Sequence, residues 1–319
     1  MLRTIEKTNP LNRSSTTSPT SLEAQVGNTP LIQLKRLAAE AQLPNSVKLF
    51  AKAEWFNPSG SVKDRPALNI IRTAEWQGKL RRGITLLDST SGNMGISYAM
   101  FGAARGYRVK LALPENASPE RVAILRAYGA EIVFSDPLEG SDGAILVARE
   151  IARKNPESYY FANQYNNPAN WQAHYFTTAN EVWRQTNGKL THFIAGLGTS
   201  GTFVGVSRRV KELNPHVKCI SVQPDNPFNG LEGLKHMATA IQPAIYDPYL
   251  ADRNIGIRTE AAYEMARKLA RIEGLFTGIS AAAAVAAAID LARELSKGVV
   301  VTLLPDNGYK YLSEKYLNE

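Results

Sequence analysis

Apolar residues in this chain come in short runs, and each run is followed by a longer stretch where apolar and polar positions mix. Val217-Lys218-Cys219-Ile220-Ser221-Val222 is a run of the first kind and reads as a buried strand. Ala281 to Ala288 is too short to span a membrane and reads as a closely packed helix. On this pattern strands are predicted over 31–34, 47–54, 85–88, 108–113, 131–134, 159–162, 192–196, 217–223 and 299–304. Helices are predicted over 66–78, 95–106, 119–128, 143–155, 169–186, 203–213, 260–273 and 281–295, with 224–254 less regular. The first of these helices can start as early as Asp64 or Arg65, since Pro66 is tolerated in a first turn but not deeper. Asn187-Gly188 stops the long helix at 186. Strands alternating with helices imply parallel sheets covered on both faces, so the fold predicted is α/β with two such sheets.

Composition narrows the function. A chain of 319 residues has room for about two domains, and 44% hydrophobic residues suit a globular core. No apolar run reaches the roughly 18 residues a membrane helix needs. The net charge of +8 comes from scattered lysines and arginines, not from a basic stripe with interleaved aromatics. That argues against nucleic acid as a partner and for small anionic substrates. One cysteine, Cys219, excludes an intrachain disulfide and reads as a buried structural thiol. The four histidines lack metal-ligand spacing, so no metal is expected, and the whole fits a reducing cytoplasm. Residues 1–22 are rich in Ser, Thr, Asn and Pro without a secretory apolar segment; they read as a flexible leader, with order starting near Val26.

Three loops carry the candidate chemistry. Asn57-Pro58-Ser59-Gly60-Ser61-Val62-Lys63-Asp64-Arg65 is a breaker run in which Ser61 and Asp64 have capping-box spacing. Lys63 would then lie in a first helical turn, where the helix dipole disfavours its charge and frees the amine for imine formation. The alternative is a surface lysine with its head in water. After the strand at 85–88, Ser89-Thr90-Ser91-Gly92-Asn93-Met94-Gly95 gathers hydroxyls, an amide and backbone N–H groups into a cradle for a carboxylate. After the strand at 192–196, Gly198-Thr199-Ser200-Gly201-Thr202 forms a cup for a phosphate. An aldehyde bearing a phosphate and meeting an amino acid satisfies all three, which describes pyridoxal phosphate (PLP).

These motifs, with Leu113-Pro114-Glu115-Asn116, Gly274-Leu275-Phe276-Thr277-Gly278-Ile279-Ser280 and Leu304-Pro305-Asp306, resemble fold-type II PLP enzymes over about residues 22–312. More narrowly they resemble the cysteine synthase (O-acetylserine sulfhydrylase) family, on the cysteine synthase B side. The resemblance implies two three-layer αβα domains with mostly parallel sheets and an active site between them. The larger, cofactor-binding domain would comprise 23–57 with 166–319, and the smaller, mobile one 58–165. It implies that Lys63 holds PLP and moves the Cα proton, that Asn93 bonds the ring oxygen, and that Gly198, Thr199, Ser200, Gly201 and Thr202 bind the phosphate. Ser280 would face the pyridine nitrogen and leave it largely unprotonated. Thr90, Ser91, Gly92, Asn93, Met94 and Gln164 would hold the substrate carboxylate. Three positions depart from the family pattern: Met94 for a threonine, Ala282 for a glycine, and Asn307 for a small hydroxyl residue.

The implied reaction is β-replacement on an O-activated L-serine by sulfide, giving L-cysteine, with O-acetylserine favoured. Lys235 could pair with the phosphate of O-phosphoserine or be a solvated loop lysine. Cystathionine β-synthesis from serine and homocysteine, and a non-catalytic PLP-fold binding protein, are the other readings. The family also implies a homodimer and admits serine acetyltransferase or a sulfur-carrier protein as a partner.

Overall fold

The computed structural model describes residues 20–90 and 92–314. Ten strands fall into two sheets. β1 (Leu31–Gln33), β2 (Val47–Ala53), β7 (His192–Gly196), β8 (Lys218–Pro224), β9 (Arg253–Ile257) and β10 (Gly298–Leu304) make the larger sheet, in the order β1-β2-β10-β7-β8-β9. β3 (Thr85–Ser89), β4 (Val109–Pro114), β5 (Glu131–Ser135) and β6 (Tyr159–Phe161) make the smaller, in the order β5-β4-β3-β6. Among the strand pairings of the described residues, only β1–β2 is antiparallel. The chain thus lays down one edge of the larger sheet, builds the smaller one, and returns to finish the first.

The helices are α1 (Lys35–Glu40), α2 (Asp64–Trp76), α3 (Asn93–Arg105), α4 (Pro119–Ala127), α5 (Gly140–Lys154), α6 (Pro168–Phe176), α7 (Thr178–Gln185), α8 (Gly201–Leu213), α9 (Thr259–Lys268) and α10 (Ile279–Arg293). α10 is buried almost all round, against the larger sheet and α9. Its alanines make this possible, because a helix with small side chains can approach strands from every side. β3 is buried at every residue, as a central parallel strand covered on both faces should be.

Four expectations need correction. The helix expected over 169–186 is two, broken at Thr177, where φ is −115° and ψ is −74°. Thr177 Oγ1 donates to the Ala173 carbonyl at 2.6 Å and accepts from Arg65 Nη1 at 3.0 Å, which draws the hydroxyl inward and bends the chain. The helix expected over 260–273 stops at Lys268 and continues as one wider turn, Leu269–Glu273, whose Glu273 carboxylate caps the N–H of Leu37. The irregular stretch 224–254 runs into an unanticipated strand, β9, in which only Ile257 is buried. Finally, regular structure starts before Val26: Ser21 caps a short 3-10 helix, Leu22–Gln25, and Glu23 bridges Arg72 and Arg105. The rest of the expected leader, residues 1–19, lies outside the described residues.

Cys219 is fully buried in β8, and burial pushes its thiol up to about 11. Among the described residues no helix is long and apolar enough to cross a membrane.

Candidate active site

The loops leaving β3 and β7 open into one cavity of about 550 Å³. Lys63, Thr90, Asn93, Met94, Gln164, Gly198, Thr199, Ser200, Gly201, Thr202, Lys235 and Ser280 all line it. Gly92 does not; it lies beneath Arg121, and a Cβ there would come within 2.3 Å of Arg121 Cδ. Ser91 lies outside the described residues.

Lys63 is held from both sides in the chain. Ser61 bridges to Asp306, Val62 N–H donates to the Pro305 carbonyl at 2.8 Å, and the Val62 side chain enters the core of the larger sheet. The expected Ser61–Asp64 capping box does not form. Asp64 instead accepts from the Ser59 N–H at 2.7 Å, from the Ser59 hydroxyl, and from Ser97 Oγ at 2.6 Å. Lys63 is only partly exposed, and among the described residues no hydrogen bond or ion pair engages its Nζ. Burial lowers its pKa, opposed by the Asp306 carboxylate. Desolvation, not the helix dipole of the sequence argument, is the main cause that frees the amine.

The β7 loop is packed as a cup. A Cβ on Gly198 would sit 2.3 Å from the Gly233 carbonyl oxygen, and one on Gly201 would sit 2.0 Å from Asn170 Oδ1. Both glycines are therefore required by close approach. Asn170 Nδ2 donates to Thr199 Oγ1 at 3.1 Å, and His174 Nε2 lies 3.3 Å from Thr202 Oγ1. Burial, with Arg65 and Lys63 nearby, pulls the His174 pKa well down and keeps the ring neutral. Ser200 has φ of 65°, and its Oγ is buried with no hydrogen-bond partner among the described residues. A buried, unsatisfied hydroxyl beside the first N–H groups of α8 suits a bound phosphate, so these residues fit that end of PLP.

The β3 loop is braced from behind. Thr90 Oγ1 accepts from the N–H groups of Gly92 (2.9 Å) and Gly95 (3.1 Å). Gln164 Nε2 donates to the Ser89 carbonyl at 2.6 Å, and the Gln164 N–H donates to Asp88 Oδ2 at 3.2 Å. Asp88 also accepts from the Ser89 N–H at 2.9 Å, so one carboxylate ties together the two segments that bear Thr90 and Gln164. Burial pushes this carboxyl up to about 7. Met94 is buried with the apolar core of the smaller sheet, Ala282 is buried with that of the larger, and Asn307 caps Tyr309 outside the cavity wall.

Asn93 is oriented by groups the sequence reading missed. Its Nδ2 donates to Asp306 Oδ2 at 2.6 Å, and its Oδ1 accepts from Lys310 Nζ at 2.9 Å. Tyr311 OH donates to the same Asp306 oxygen at 2.8 Å. Two ion pairs, also missed, tie the β8–β9 segment to α4 and α5 at the cavity. Arg121 pairs with Glu232, its guanidinium 4.6 Å from the Tyr311 ring centroid. Lys235 pairs with Asp142, 5.1 Å over the Tyr165 ring. Lys235 is 6% exposed, so it is not a solvated loop lysine. Burial pushes the Glu232 carboxyl up, and Arg121 pulls it back. One signal for Arg121 was present: on α4 it is buried with Leu125, four residues on, so a charge sits in the helix's apolar stripe.

A family model described as pyridoxal-phosphate dependent enzyme matches residues 22–306. A cysteine synthase of Aquifex aeolicus is 51% identical over 90% of this chain and 89% of its own length. A cysteine synthase B of Pseudomonas aeruginosa is 43% identical over 90% of this chain and 94% of its own. The crystal structure of a cysteine synthase (OASS) from Entamoeba histolytica superposes with a TM-score of 0.89 at 34% identity, covering 96% of this chain and 92% of that one.

Proposed function

The chain belongs to the pyridoxal-phosphate dependent enzymes, and we propose that within them it is a cysteine synthase that converts O-acetyl-L-serine and sulfide to L-cysteine and acetate. One observation supports this reading: the desolvated Lys63 shares one cavity with the Gly198–Thr202 loop and with Thr90, Asn93 and Gln164. PLP, when bound, supplies an aldehyde for that amine and a ring that accepts electrons from Cα.

The chain's own residues do the rest. The Ser200 hydroxyl and the loop Gly198–Thr202 hold the phosphate. Asn93, oriented by Asp306 and Lys310, would bond the ring oxygen of the cofactor. Ser280, at the start of α10, offers a hydroxyl and no negative charge to the ring nitrogen, which favours loss of a β-substituent over transamination. Thr90, the Met94 N–H and Gln164 grip the substrate carboxylate. Lys63 Nζ takes the Cα proton as acetate leaves Cβ, and returns it after hydrosulfide has added there.

We further assign 58–165 to a smaller mobile unit and 23–57 with 166–319 to a larger one, in a cytoplasmic homodimer, which sedimentation and fractionation will check. The function is tested by mass spectrometry of the product from O-acetyl-L-serine and sulfide. The PLP-loaded protein should yield cysteine, whereas Lys63→Ala should fold, lose the borohydride-sensitive visible band and give negligible turnover. Near-normal cysteine synthesis by that variant, or none by the wild type, overturns the assignment.

A further inference from the structure

Three cationic side chains line the cavity: Lys63, Arg121 and Lys235. Lys63 is reserved for the cofactor. The other two have the burial expected of an anion site, since Arg121 is 2% and Lys235 6% exposed. Each is nevertheless already paired with a carboxylate: Glu232 lines the cavity with Arg121, and Asp142 holds Lys235 from just behind the lining residues Gly140 and Ser141. Arg121 on α4 meets Glu232 of the segment between β8 and β9, and Lys235 of that segment meets Asp142 on α5.

The arrangement is built rather than incidental. Asp142 uses its second oxygen to accept the Ile241 N–H at 2.7 Å, so the carboxylate is anchored from two directions. The Glu232 segment is pinned by Gly233, whose carbonyl packs against Gly198 of the phosphate cup. Glu314 adds another carboxylate to the lining.

We propose that Glu232 and Asp142 select the leaving group by charge, so that the site accepts a seryl ester with an uncharged acyl group and rejects a phosphoester. The inference rests on the cysteine synthase reading and adds the residues that define its substrate class. A phosphomonoester brings about two negative charges at neutral pH and needs a cation to meet them. Here each available cation has to be drawn from its carboxylate, which is then left near the phosphate as a half-buried like charge. An acetyl ester makes no such demand. Specificity thus arises as much from what the acids repel as from what the site attracts.

The test compares kcat/KM for O-acetyl-L-serine and O-phospho-L-serine, with sulfide, in PLP-loaded wild type, Glu232→Gln, Asp142→Asn and the double variant. The wild type should favour the acetyl ester. Each single change should lower the acetyl-to-phosphoryl ratio by about tenfold, mostly through gain on the phosphoester. Inorganic phosphate, titrated calorimetrically, should bind more tightly to the variants, while acetate should not. Thermal melts establish that each variant is folded, and the two sites are independent should one fail. The proposal is overturned if both esters change by the same factor, if phosphate affinity is unmoved, or if the wild type uses the phosphoester equally well. Absence of turnover with either ester would defeat the cysteine synthase reading, and the phosphate titration would still decide on the two acids.

Discussion

Lys63 and Arg65 stand two residues apart, and burial works against the charge of both, with opposite outcomes. Lys63 Nζ has no hydrogen bond or ion pair among the described residues, and its pKa falls despite the Asp306 carboxylate, whereas Glu54 and Glu181 hold Arg65 charged against the same desolvation. Arg65 Nε and Nη2 reach Glu54, and Nη1 and Nη2 reach Glu181 at 2.7 and 2.8 Å, with Lys52 completing a buried quartet of no net charge. Arg65→Met strands two buried carboxylates on one lysine and should cost about 3–5 kcal/mol, read from denaturant unfolding. Asp88 gives the pH dependence. Its carboxyl titrates at about 7 when folded, against an ordinary 3.8. The folded protein therefore binds a proton that the unfolded chain does not, and this group's contribution to stability rises as pH falls from about 7 toward 4. Wild type should gain at least about 2 kcal/mol relative to Asp88→Asn between about pH 8 and about pH 5, measured as unfolding free energy. A flat difference would show Asp88 to be ionised throughout that range in the folded protein. Lys63, Asn93 and the hydroxyls of the three loops were legible because turn residues mark their positions. Arg121, Glu232 and Lys310 were not, because a charged residue reads as solvated until the fold buries it.

At the scale of elements, the cup after β7 is set by what its glycines exclude. Gly198→Ala puts a methyl group 2.3 Å from a backbone oxygen, which cannot swing aside as a side chain would. It should lose about 1–3 kcal/mol of stability and weaken PLP retention on dialysis, while Gly106→Ala, with open space around it, should leave retention unchanged. The alternation of strands and helices was legible because buried parallel strands are short apolar runs. The elements that escaped have weaker marks. β9 is largely exposed, α1 is short, and the break at Thr177 depends on Arg65, which is distant in sequence. Local pattern carries no record of a partner so far along the chain.

Across the whole molecule, two sheets built from interleaved segments leave a cavity between their loops, and Cys219 is not among its lining residues but is fully buried inside the larger sheet. A protein proposed to handle sulfide and release a thiol thus keeps its own sulfur where neither can form a mixed disulfide with it. The same placement turns Cys219 into a built-in clock for the fold. Native protein should take up essentially no maleimide, and labelling should rise with denaturant along the same curve as the loss of helical signal. Labelling ahead of that curve would reveal that β8 parts from β7 and β9 before the rest of the sheet comes undone.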